Sequence, residues 1–179
     1  MSEPRDTVWI LDRVAQAAYE RFLSEFGTRF NGHDPVRLAT ALAWPRTVAA
    51  FATERPRLSV LAAAHARAIN RLKPFDEGND AMACLLSMLF LRLNGIELPA
   101  PAIEKYTVFA ALADERLDAT GLAQWMRMRY IANRQGVQWV AQVRIRGGKV
   151  HSVATVRSPN SPSGKKVGTR RRTALEPPQ

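Results

Sequence analysis

The sequence predicts an all-α helical bundle followed by a β-hairpin and a basic tail, and three observations carry that reading. Apolar residues recur at helical spacing, between recognisable start and stop signals, up to about residue 131. Strict alternation then replaces the helical period on both sides of Gly147-Gly148. Charge is also segregated: residues 1–127 hold 15 Lys/Arg and 15 Asp/Glu, whereas residues 128–179 hold 11 Lys/Arg against Glu176 alone. The expected organisation is a helical domain at 1–131, a hairpin extension at 132–157 and a disordered basic tail at 158–179.

The first helix is expected over 7–27, with Leu11, Val14, Ala18 and Phe22 on one face and Gly27 as its stop. Asp34 is placed to cap a second helix with Pro35 at its first position. Leu38 and Leu42 share a face of that helix, and Pro45 is expected to end it. Residues 46–58 read as a short helical or irregular connection. Ser59 is the expected cap of the next helix (60–72), which stops before Lys73-Pro74 because a residue preceding proline avoids the helical region. Residues 79–94 form a helix apolar on nearly every face, interrupted in its middle only by Ser87 and Arg92, so it is expected at the bundle centre. Residues 99–113 give another helical pattern, and Thr120 is a candidate cap for a last one reaching about Ile131.

In the alternating segment, pairing across Gly147-Gly148 sets Ile145 opposite Val150 and Trp139 opposite Val156 on an apolar face. Arg144, Arg146, Lys149 and His151 gather on the other face. A lone two-stranded hairpin is marginal in water, so its apolar face must pack on the helical domain, a second copy or a partner. The tail carries Lys165, Lys166, Arg170, Arg171 and Arg172 among Pro, Ser and Gly. This basic third is an electrostatic handle for polyanions such as nucleic acid or the ribosome, or else a solubilising appendage.

At 46% hydrophobic and 23% charged residues, the composition is globular and not that of a disordered or fibrous chain. The single cysteine, Cys84, excludes an internal disulfide and agrees with a reducing cytoplasm. The amino-terminal residues lack the pattern of a secretory signal, and the longest apolar run (81–91) is far short of the ~20 residues of a membrane span. No His/Cys spacing suggests zinc. Trp9, Trp44, Trp125 and Trp139 read as packing residues. His33 reads as a loop residue, and His65 as a helix histidine and not a base.

The stretch KPFDEGNDAMA (73–83) lies between two helices and has the shape of an anion site. Gly78 permits close backbone approach, and Asn79 opens a helix whose first N–H groups lack intrahelical acceptors. Glu77, just outside, offers an oxygen ligand for Mg²⁺. The plain alternative is an αα-corner with an N-cap asparagine.

The segment resembles the signature of the Fic/Doc (Fido) family, which reads HPFxDGNKR in the death-on-curing branch and HPFxxGNGR in the Fic branch. Pro74, Phe75, Gly78 and Asn79 match, Glu77 stands at a usually acidic position, and FLRLNGIEL (90–98) follows at the family's spacing. Upstream, HDPVRLATALAWPR (33–46) and LAAAHARAIN (61–70) resemble two further elements of that branch. The resemblance covers about residues 10–127. It implies a Fido helical bundle using ATP or another nucleotide with Mg²⁺ to modify a hydroxyl of a target protein, restrained by a small antitoxin protein.

Three departures bear on that chemistry. Lys73 stands where the family has the histidine that serves as general base, and an unperturbed lysine is protonated at neutral pH. Asp80 and Ala81 stand where the family has Lys-Arg or Gly-Arg to contact phosphates, so the bidentate cation is lost and a negative charge is added. Phosphoryl and nucleotidyl transfer rest on positioning and electrostatic stabilisation. The expected protein is therefore a degenerate transferase that keeps a binding role. Two alternatives stand beside it: an active toxin transferring a phosphoryl or AMP group, and a nucleic-acid- or ribosome-binding protein acting through its basic third.

Overall fold

A computed structural model describes residues 6–26, 32–134, 138–146 and 149–157. Among these residues the chain forms six helices: α1 (Asp12–Phe26), α2 (Pro35–Phe51), α3 (Leu58–Leu72), α4 (Asn79–Leu93), α5 (Ala102–Ala113) and α6 (Ala119–Arg134). The backbone of β1 (Gln138–Arg146) pairs antiparallel with β2 (Lys149–Arg157), in a register running from Arg146 opposite Lys149 to Gln138 opposite Arg157. The tail and the turn at 147–148 lie outside the described residues.

The centre of the bundle is α3, not α4. Leu61, Ala62, Ala63, Ala64, His65, Ala66, Ala68 and Ile69 are all buried, and α2, α4, α5 and α6 each pack on this one helix. Alanines let four neighbours approach closely around a single axis, which bulkier side chains would hold apart. By contrast α4, although apolar all round, buries one side through Met82, Ala83, Leu86, Ser87, Phe90 and Leu91 and leaves Leu85 and Leu93 exposed. Its polar interruption has a use, because Ser87 Oγ donates to the carbonyl of Ala62 at 2.9 Å inside the α3–α4 contact.

Several boundaries differ from expectation. Residues 7–11 are not helical: Asn94 binds the backbone of Val8 through both its amide groups, at 2.8 and 2.9 Å, and Ile10 fills the core. The buried stripe of α1 is Ala15, Tyr19 and Leu23, with Val14, Ala18 and Phe22 half-buried beside it. Pro45 does not end α2. It is buried inside that helix, which runs on to Phe51, so packing outweighs the one backbone hydrogen bond a proline removes. Asp34 caps α2 as expected, accepting from Val36 and Arg37. Ser59 lies within the first turn of α3, and no side chain caps that helix start. For α6 the amide of Gly121 donates to Asp118 Oδ1 at 2.6 Å, so Asp118 does what Thr120 was expected to do.

A buried ion pair joins α5 to α6. Glu104 and Arg129 are each almost fully covered, and the guanidinium donates through Nε and Nη2 to Glu104 Oε1. The indole N–H of Trp125 donates to the same oxygen at 2.7 Å. Arg129 belongs by position to the basic third of the chain, yet its charge is spent inside the bundle. Trp125 is core, as expected, whereas Trp44 is half-exposed.

His65 is 1% exposed, its ring lies 4.9 Å from that of Phe90, and neither ring nitrogen has a partner among the described residues. Burial, followed by the positive charge of Arg46, lowers its pKa from 6.5 to about 4. The unfolded chain therefore takes up a proton near pH 6.5 that the folded chain refuses until about 4. Stability associated with His65 is complete above pH 6.5 and falls as the pH drops through this window. Urea unfolding at pH 7 and pH 4.5 should show about 2–3 kcal/mol less pH-dependent loss in His65→Leu than in the native chain. Equal losses in the two proteins would show that the imidazole is solvated.

Candidate functional site

The turn between α3 and α4 is built by its own residues and by two outside segments. Lys73 ends α3 in the left-handed conformation (φ 45°), its N–H donating to the carbonyl of Ile69 at 2.9 Å. The following proline bars the helical region, and this conformation reverses the chain within one residue. Pro74 and Phe75 are buried, and the chain then rises to Gly78, which precedes the first residue of α4 at φ 69°.

Residues 32–34 hold this turn by a backbone clasp. The Asp34 amide donates to Pro74 O at 2.7 Å, the Asp76 amide donates to Gly32 O at 3.2 Å, and His33 and Phe75 form an isolated antiparallel bridge. Gln16 of α1 meets the His33 ring at 3.1 Å. His33 is thus part of the clasp and more than a loop residue. The helix α1 covers the same turn with aromatic side chains. The Tyr19 and Phe75 rings lie 4.4 Å apart, a contact of about 0.5–1.5 kcal/mol beyond its buried area. The Phe22 ring lies over Gly78, so that a Cβ added there would come within 2.6 Å of it.

Each sequence-predicted residue of the turn now has a place. The side chain of Asn79 is engaged at both ends, accepting from the Phe75 N–H at 3.1 Å and donating to the Phe75 carbonyl at 2.7 Å. Asn79 therefore offers a ligand its main-chain N–H and not its carboxamide. No side chain caps α4, and its first backbone bond runs from Met82 N to Gly78 O at 2.8 Å. The amides of Asn79, Asp80 and Ala81 are therefore free of intrahelical acceptors. Glu77 is half-buried, whereas Lys73, Asp76, Asp80 and Ala81 are exposed.

Electrostatically the turn is acidic. Three carboxylates, Asp76, Glu77 and Asp80, accompany the single cation Lys73. Their field reaches Tyr19, whose phenol is pushed up mainly by burial and further by the charges of Asp76 and Glu77, with the Glu77 backbone acting in the opposite sense. Among the described residues no group of three or more His, Cys, Asp or Glu is arranged to hold a metal ion. The uncapped backbone donors at the start of α4 are of the kind anions meet at helix N-termini, but the turn's side chains lack the clamp that phosphoryl transfer would need.

His65 lies inside α3, walled off from this turn, and supplies no base to it. Arg144, Arg146 and Lys149 stand on the paired strands, while Lys165, Lys166, Arg170, Arg171 and Arg172 lie outside the described residues. No helix among the described residues is long and apolar enough to cross a membrane. Gly32 and Tyr19 were not singled out from sequence, and His33 and Phe22 were named there without any part in this turn. No protein-family profile matches the chain, and no curated protein matches it in sequence.

A substitution at Gly78 tests the assembly. In Gly78→Ala the left-handed backbone costs about 1–2 kcal/mol and the contact with Phe22 a similar amount, so denaturant unfolding should show a loss of about 2–4 kcal/mol. Adding Phe22→Leu should relieve only the steric part, leaving Gly78→Ala costly in either background.

Proposed function

We propose that this chain is a Fido-type, death-on-curing-like protein in which transfer chemistry has lapsed while the scaffold keeps a binding role. One observation carries the reading. The turn has uncapped main-chain donors at the start of α4, yet exposed Lys73, Asp80 and Ala81 occupy the positions of base and phosphate-binding cation. A phosphate-bearing ligand, such as ATP or another nucleotide, would be held by the amides of Asn79, Asp80 and Ala81, with Lys73 as a point charge and Glu77 as an oxygen ligand for an accompanying Mg²⁺. That cation would neutralise phosphate charge. By the resemblance, the base position then holds an amine in place of the imidazole that takes the proton of an attacking hydroxyl. By the same resemblance, a small antitoxin-like protein is the expected class of partner.

Because the three departing positions are exposed, they can be changed at little cost to the fold. The triple variant Lys73→His, Asp80→Lys, Ala81→Arg should unfold within about 2 kcal/mol of the native chain. Histidine is among the residues best able to occupy the left-handed position of Lys73. With labelled ATP, Mg²⁺ and a cell lysate, the native chain should transfer no label above a Gly78→Trp control, and the triple variant should transfer it. A fully active native chain would establish instead the active toxin acting on a target hydroxyl.

A second reading concerns the basic third and rests on its charge, 11 Lys/Arg against one acid over residues 128–179. With Arg129 engaged by Glu104, the cations proposed to meet a polyanion are Arg144, Arg146, Lys149, Lys165, Lys166 and Arg170 to Arg172. Binding to RNA or DNA through six or more phosphates should weaken by roughly 10³-fold or more between about 50 and about 200 mM salt. Deletion of residues 158–179 should weaken it at any salt. Filter binding that is indifferent to both changes would leave the segment a solubilising appendage.

A further inference from the structure

Away from the turn, at the opposite end of α3, a cavity of about 310 Å³ opens between the start of that helix, the end of α4 and α6. Its floor is apolar, with Leu91, Leu98 and Met126 all buried. A second cavity of about 400 Å³ adjoins it, and Arg57, Ser59 and Arg127 line both, so these three form the partition. Among the described residues neither cavity has an Asp or Glu in its lining. Among the described residues neither Arg57 nor Arg127 forms an ion pair with a carboxylate.

We propose that the first cavity binds an amphipathic monocarboxylate, its apolar body on Leu91, Leu98 and Met126 and its carboxylate on Arg57 and Arg127. The volume lies within the range of small-molecule sites, which combine apolar walls with a few convergent polar groups. Arg57, Ser59 and Arg127, at the edge of this almost wholly apolar space, are the residues that can supply that polar end, and a planar guanidinium matches a carboxylate. The same lining disfavours the alternatives. A cation would meet two arginines and no acid, and a sugar-like ligand would leave its hydroxyls unpaired against the apolar floor. The two arginines are exposed at the rim, so their charges cost little while the cavity is open and gain a partner when it is filled.

Calorimetric titration of the full chain with sodium decanoate, below its micellar concentration, tests this. One decanoate per chain should bind, and 1-decanol and decyltrimethylammonium should bind at least about tenfold more weakly, since charge-assisted bonds to guanidinium are absent. The exposed-site double variant Arg57→Gln, Arg127→Gln should keep its unfolding temperature and lose affinity by more than about tenfold. Ile96→Trp, at a half-buried wall position, should block the cavity and abolish binding. Equal affinity for decanol and decanoate, or native affinity in the double glutamine variant, would overturn the proposal. No binding to the native chain would overturn it too, as it would if a second copy or the chain's own carboxy-terminal residues occupied the cavity.

Discussion

The packing of α3 is the constraint on which the rest of the molecule depends. Four helices meet one helix, and they can do so because most of its buried residues are alanines. Close approach then imposes conditions on the neighbours. Ser87 must be small and must pair with Ala62 O, because a larger or unpaired polar group there would separate α3 from α4. His65 is the one titratable group on the buried surface of α3, and it is kept neutral by burial beside Arg46, itself stacked over Trp9. Across the bundle, Glu104 and Arg129 solve the opposite problem, two charges buried together. Removing one alone would strand the other at a cost of about 3–5 kcal/mol.

The end of α3 explains the form of the turn. Once the helix is fixed, the chain must reverse at Lys73 and start α4 within six residues, and each residue matching the family motif has a structural task in doing so. Pro74 stops the helix and Phe75 anchors the turn beneath Tyr19. Gly78 passes under Phe22 in a conformation other residues adopt at a cost, and Asn79 clips the backbone of Phe75. The residues that depart from the motif are the exposed ones. Architecture and chemistry thus separate by solvent exposure within a single short stretch. A match confined to the better-covered half of a motif says more about how the chain turns than about a reaction.

Legibility followed the same division between local and tertiary causes. Asp34-Pro35 announced the start of α2 and Lys73-Pro74 the end of α3, because caps and prolines act through their immediate backbone. Pro45 misled for the opposite reason: its local preference was overridden by burial beside Leu38, Ala41 and Leu42. The exchange of roles between α3 and α4 was hidden because hydrophobicity reports what can be buried, while side-chain size decides which helix others can crowd. At the site, the turn and its glycine could be read directly. The clasp from Gly32 and His33 and the cover from Phe22 could not, since these contacts join segments that are distant in the chain and carry no local signal. The cavity arginines were invisible for the same reason, Arg57 and Arg127 being brought together only by the α3–α6 packing.

The two candidate sites stand at opposite ends of one rigid element. A 15-residue helix spans about 22 Å, which separates Lys73 from Arg57 by more than two Debye lengths at physiological salt. Charge changes at one end therefore have little direct electrostatic effect on the other. Communication between them would require α3 to shift against its four neighbours, and a close-packed alanine interface resists such a shift because any displacement meets backbone and not a flexible side chain. The acidic turn and the arginine-rimmed cavity are thus expected to act as independent sites, so occupancy of the cavity should leave the start of α4 unchanged. Coupling, if measured, would point to a second arrangement of α3 or of α4, the two helices that reach both ends.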